Sequence, residues 1–140
     1  MEFYELSPEV AGEIGPQSQV NYEVHPPLVT ELQYLFHGWL GDDLLEAFPC
    51  YIMTVRLKNE LLRSSLTGYM FKAVEVTVSD QFKELYPARE IGKFAWFLPI
   101  GQAGVDDFGI SETYQLVVSE EALRILKQFQ IKHCDVVKIE

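Results

Sequence analysis

The chain has 140 residues, of which 48% are hydrophobic and 23% charged, and its formal net charge is −10. The length suits one domain, or at most two very small ones, and the composition is that of a folded chain and not a disordered one. An excess of acid argues against partners that present phosphate, both nucleic acid and anionic membrane.

Phe3 to Leu6 reads as a short first strand, and residues 7–19, rich in Pro, Gly and Ser, as a loop. Val20 to Val24 alternates apolar and polar, which suits a half-buried strand, and His25-Pro26-Pro27 then ends any ladder. Residues 28–49 stay ambiguous. Leu32, Leu35, Phe36, Trp39 and Leu40 fit a helical face, but Leu32 to Phe36 also fits a strand. Cys50 to Thr54 reads as a buried strand. A helix follows over about residues 55–65, with Thr54 as its N-cap, Leu57, Leu61 and Leu62 inward, and Thr67-Gly68 ending it. Tyr69 to Ser79 alternates, with Val74, Val76 and Val78 on one face. Asp80 to Leu85 fits one short helical turn, and Phe94 to Pro99 a strongly apolar strand. Gly101 to Gly109 reads as a loop and Tyr114 to Val118 as a strand. Ser119 caps a helix whose first turn holds Glu120 and Glu121 and whose stripe is Ala122, Ile125, Leu126 and Phe129. Cys134 to Ile139 forms a last strand.

A shift of 65 positions aligns Thr54 with Ser119, Leu57 with Ala122 and Leu61 with Leu126. The order strand, cap, helix, strand therefore occurs twice, although the apolar matches barely exceed what composition alone gives. The expected architecture is a single α+β (mixed) domain over residues 1–140. It has one sheet with two or three short helices packed on it, built around two strand–helix–strand units in 50–140, after an acidic region over 1–49.

The charge is polarised. Residues 1–55 hold Glu2, Glu5, Glu9, Glu13, Glu23, Glu31, Asp42, Asp43 and Glu46, and no Lys or Arg. A region of one sign steers a partner of the other sign, whereas acids scattered over a surface serve solubility alone. Trp39 beside Asp42, Asp43 and Glu46 has the composition of an interface against a basic partner, and Asp106 with Asp107 forms a second acidic pair. Trp39 equally fits a core position, and adjacent acids equally fit a solvated loop.

Motifs for chemistry are absent from the sequence. His133 and Cys134 adjoin, but neighbours on a strand point to opposite faces, and no CxxC or HExxH accompanies them. Ser119 sits between strand and helix without the glycines of a nucleophile elbow. No catalytic residue, metal or cofactor is expected. Met1 to Glu5 is not a basic stretch leading into an apolar one, so no leader is visible and the cytosol is the expected compartment, with Cys50 and Cys134 reduced. The longest apolar run, Phe94 to Ile100, is far short of the about 20 residues that cross a bilayer.

Three stretches carry a likeness: Asp106-Asp107-Phe108, Tyr114 through Lys127, and Ile131 through Val136. Leu61 to Phe71, with its Leu-Thr-Gly-Tyr segment, adds a fourth. Together they resemble the small immunity proteins encoded beside bacterial polymorphic or contact-dependent toxins, a group that includes a former domain of unknown function. The resemblance covers about residues 50–140, and the first 49 residues match nothing comparable. It implies a non-enzymatic cytoplasmic protein that binds and blocks a cognate toxin, and it transfers no contact residues. Together with the acidic stretch, it makes a basic toxin domain the expected partner, with contacts at Trp39, Asp42, Asp43, Glu46, Asp106 and Asp107. The alternatives are a small hydrolase assembled from distant His, Asp and Ser, and a homodimeric adaptor.

Overall fold

The computed structural model describes residues 1–139. In chain order the first strands are β1 Phe3–Ser7, β2 Gly12–Ile14, β3 Gln19–Asn21, β4 Leu28–Glu31, β5 Gln33–Phe36, β6 Leu44–Ala47 and β7 Cys50–Thr54. Helix α1 Val55–Arg63 follows, then β8 Tyr69–Lys72, β9 Glu75–Val78, α2 Asp80–Leu85, β10 Phe94–Pro99, β11 Gly101–Gln102 and β12 Phe108–Ile110. The last elements are β13 Leu116–Ser119, α3 Glu120–Leu126 and β14 Asp135–Lys138.

These strands form four sheets, ordered β11-β12-β13-β1-β14, β6-β7-β10-β8, β2-β5-β9 and β3-β4. The expectation of a single sheet with helices packed on it is thereby overturned: among the described residues strand far outweighs helix, and the three helices are short. Two breaks explain the partition. The run Tyr69 to Ser79 divides at Ala73-Val74, so that β8 pairs with β10 while β9 pairs in parallel with β5. The ambiguous stretch 28–49 resolves into β4, β5 and β6, which lie in three different sheets. The loop expected over 7–19 contains β2, which pairs with β5.

The two strand–helix–strand units lie in different sheets and share one topology. β7 and β8 flank β10, and β13 and β14 flank β1, each antiparallel to the strand between them. Both bridging helices sink into one core. Leu57 and Leu61 of α1 and Ala122, Leu123 and Leu126 of α3 join Leu6, Met53, Phe97, Phe108 and Val118. Successive strand residues point to opposite faces, so Ile52 and Trp96 face away from Met53 and Phe97. They join a second core with Tyr34, Phe36 and Phe82. β7 and β10 are therefore covered on both faces, which is why they read as continuous apolar runs and not as alternation.

Ser79 and Ser119 cap their helices, accepting the N–H of Phe82 and Ala122, each at 3.1 Å. Thr54 precedes α1 without capping it, because its hydroxyl donates to Asp43 Oδ1 instead. Leu62, expected inward, is exposed. No helix among the described residues is long and apolar enough to cross a membrane.

Candidate functional site

The acids expected to form a surface around Trp39 are interior. Asp42 is 0% exposed and Asp43 1%. A buried carboxylate needs hydrogen-bond donors in place of water, and both have them. Asp42 accepts the backbone N–H of Lys132 at 3.1 Å and of His133 at 2.7 Å. Asp43 accepts the N–H of Gln130 at 2.8 Å and the hydroxyl of Thr54, and it pairs with Arg56 through Nε at 2.8 Å and Nη2 at 2.6 Å. Burial pushes the Asp43 carboxyl up, but the bonds from Arg56, Thr54 and Gln130 outweigh it and hold the group below the usual aspartate range. Glu9 is buried beside them and accepts the N–H of Leu40 at 2.7 Å and of Asp42 at 3.3 Å. Asp42 and Asp43 buckle the segment 39–43 to the chain that follows α3, and Glu9 ties the same segment to the chain that follows β1.

Trp39 is half-buried at the margin of the second core, its ring 5.5 Å from Phe94 and 6.1 Å from Phe36. Its Nε1 donates to the Asp42 carbonyl at 3.0 Å, and the Arg89 guanidinium lies over its ring, 4.4 Å from the centre. Asp106 and Asp107 are also committed within the fold. Asp106 accepts the N–H of Gln102 at 2.7 Å; Asp107 accepts the N–H of Thr67 at 2.9 Å and the hydroxyl of Ser119 at 2.6 Å. That last bond, with complete burial of Ser119, leaves its oxygen no route to a substrate. Burial raises the thiols of Cys50 and Cys134 to about 12, so neither is a thiolate nucleophile at neutral pH.

Glu46 is half-buried on β6, and burial raises its carboxyl above the usual glutamate range. A carboxyl raised in the folded state binds more protons folded than unfolded, so its contribution falls as pH rises through that window. Asp43, held low, acts oppositely: its contribution is present above the ordinary aspartate value and lost as pH falls toward its folded value. The Glu46→Gln variant is accordingly expected to gain stability over the parent at about pH 8 and to match it at about pH 4. Urea midpoints for both proteins at the two pH values check this. A gain that is the same at both pH values contradicts it.

The exposed feature that the sequence did not single out is aromatic. Phe48 and Pro49 make the two-residue turn between Ala47 and Cys50, which leaves Phe48 45% exposed. Tyr114, 38% exposed, has φ +63°, a left-handed conformation costly for any residue with a Cβ. Ser111 holds it there: its oxygens accept the N–H groups of Thr113, Tyr114 and Gln115. His25, from the connection between β3 and β4, meets Tyr114 edge-on at 5.3 Å and Phe48 at 6.3 Å. Leu28 and Ile100 are 56% and 62% exposed, and an apolar hollow of 200 Å³ lies between Val29, Pro49 and Ile100.

Separate segments thus deliver exposed apolar side chains with a tightly packed ring cluster among them. Isolated surface hydrophobics are ordinary; several on neighbouring loops mark a contact surface. The segments that carry these side chains, residues 20–31, 44–50 and 96–116, contain no Lys or Arg, while Glu23, Glu31 and Glu112 are exposed on them. These segments, and not the neighbourhood of Trp39, combine exposed aromatic side chains with exposed acids that make no ion pair among the described residues. No protein-family model, curated protein or solved structure matches the chain.

Proposed function

We propose that this protein is a non-enzymatic inhibitor of the immunity type, which binds a basic toxin domain in the cytosol through the face built by His25, Phe48 and Tyr114. One observation carries the reading: an exposed aromatic cluster on segments that hold acids and no Lys or Arg. Aromatic side chains supply the largest contact energies at protein interfaces, and surrounding acids raise the encounter rate with a cationic partner. Inhibition by binding also needs no catalytic group, which agrees with the commitment of Ser119, Asp106 and Asp107 to bonds within the fold.

Stopped-flow association with the basic polypeptide encoded beside this chain's gene tests the proposal. The rate constant is expected to exceed about 10⁶ M⁻¹s⁻¹ at low salt and to fall at least about tenfold in about 0.5 M NaCl. No complex, or a rate indifferent to salt, contradicts it.

A further inference from the structure

Strand β4 runs between two hollows that share Trp96 as a wall. The apolar one belongs to the face described above. The other, of 410 Å³, sets Trp96 beside Glu31, Glu75, Gln17 and Gln33. Gln33 is 5% exposed and fixes the arrangement, accepting the Gln17 N–H and donating to Glu75 Oε1, each at 2.9 Å. That leaves Glu75 Oε2 and the whole Glu31 carboxylate on the exposed side. One cation is already drawn in: Lys72 Nζ lies 5.6 Å from the centre of the Trp96 ring and makes no ion pair among the described residues.

We infer that this hollow is a subsite for an arginine side chain of the basic partner, an inference that rests on the binding reading above. A guanidinium is planar, so it stacks on an indole while its edge donates to carboxylates and amide oxygens. An aromatic wall flanked by two carboxylates offers both at once. Lysine presents a point charge without a face, and it fits the same lining less fully. Trp96 is only 4% exposed with Lys72 over it, so the incoming guanidinium takes the place of that ammonium. A partner gripping β4 would then set an apolar residue in the hollow beside Val29 and an arginine in the one beside Glu31.

The test is an NMR titration of the full chain that follows the Trp96 indole N–H, assigned with a Trp39→Phe variant. The probe is N-acetylarginine amide, and its citrulline analogue supplies the same shape without charge. Arginine is expected to shift the Trp96 signal saturably at millimolar concentration, and citrulline to leave it in place. The double variant Glu31→Gln/Glu75→Gln keeps an amide for Gln33 to bond and is expected to weaken arginine at least about fivefold. Lys72→Ala, which removes the competing cation, is expected to tighten it about threefold. Equal shifts from both probes overturn the inference, as does a double variant that binds arginine like the parent. If arginine fails while a basic partner still binds at Phe48, the subsite is refuted and the binding reading stands. If arginine binds but no basic partner does, the subsite stands and the reading above falls.

Discussion

Asp43→Ala is expected to cost about 3 kcal/mol of folding stability, or about 10 °C in Tm for a chain of this size. The side chain is 1% exposed and is the acceptor for Gln130, Thr54 and Arg56. Alanine leaves the Gln130 N–H and the Thr54 hydroxyl facing a void. Each charge-assisted hydrogen bond is worth about 1.5–3 kcal/mol, and an orphaned donor adds its own desolvation cost. The loss stays below that of a fully buried ion pair because Arg56, with 65% of its side chain exposed, turns to water when its partner is gone. Asp42→Ala is expected to behave alike, since it orphans the N–H groups of Lys132 and His133, about ninety positions away in sequence. Glu31→Gln, an exposed change, is the control and should stay within about 0.5 kcal/mol. Urea unfolding of the three variants decides the matter. An Asp43→Ala loss no larger than that of the control contradicts the buckle.

The same pair of residues shows where the sequence stops being readable. Asp42-Asp43 has the look of a solvated acidic loop, because nothing local distinguishes it from one. Three of its donors are backbone N–H groups brought from the far end of the chain, a consequence of tertiary structure. Thr54 illustrates the same limit: a hydroxyl before a helix is a cap by local rules, and here Asp43 claims it. Where the governing interaction is local, the pattern was legible. Ser119 caps α3, Val74, Val76 and Val78 all pack against the second core, and the apolar runs of β7 and β10 lie largely inside. The partition into four sheets was not legible, because alternation reports that a strand is half-buried and not which partner it takes.

The aromatic face proposed for binding was hidden for a different reason. Phe48 and Tyr114 are residue types expected inside, and their exposure follows from a two-residue turn and from one left-handed residue. The signal available in the sequence was negative: the absence of Lys and Arg from residues 20–31, 44–50 and 96–116.

The double variant Phe48→Ala/Tyr114→Ala is expected to weaken partner binding at least about 100-fold. Each ring is a candidate hot spot worth about 2 kcal/mol, and 1.4 kcal/mol is a factor of ten. The rings touch one another and His25 and are missing from both buried cores, so folding should lose no more than about 1 kcal/mol. Most of the change is expected in the dissociation rate, since truncating an anchor removes contact and leaves the acids that steer the approach. Loss of acid on the same face, by contrast, acts on association.

Two sets of residues that the sequence had joined are separate in the fold: acids that hold it together, and rings proposed to meet a partner. The dissociation constants of Phe48→Ala/Tyr114→Ala and of Asp43→Asn for the same basic partner, taken where both proteins are fully folded, test that separation most directly. The ring variant should bind at least about 100-fold more weakly than the parent, and Asp43→Asn within about twofold of it. A ring variant that binds normally while Asp43→Asn loses the partner contradicts the account.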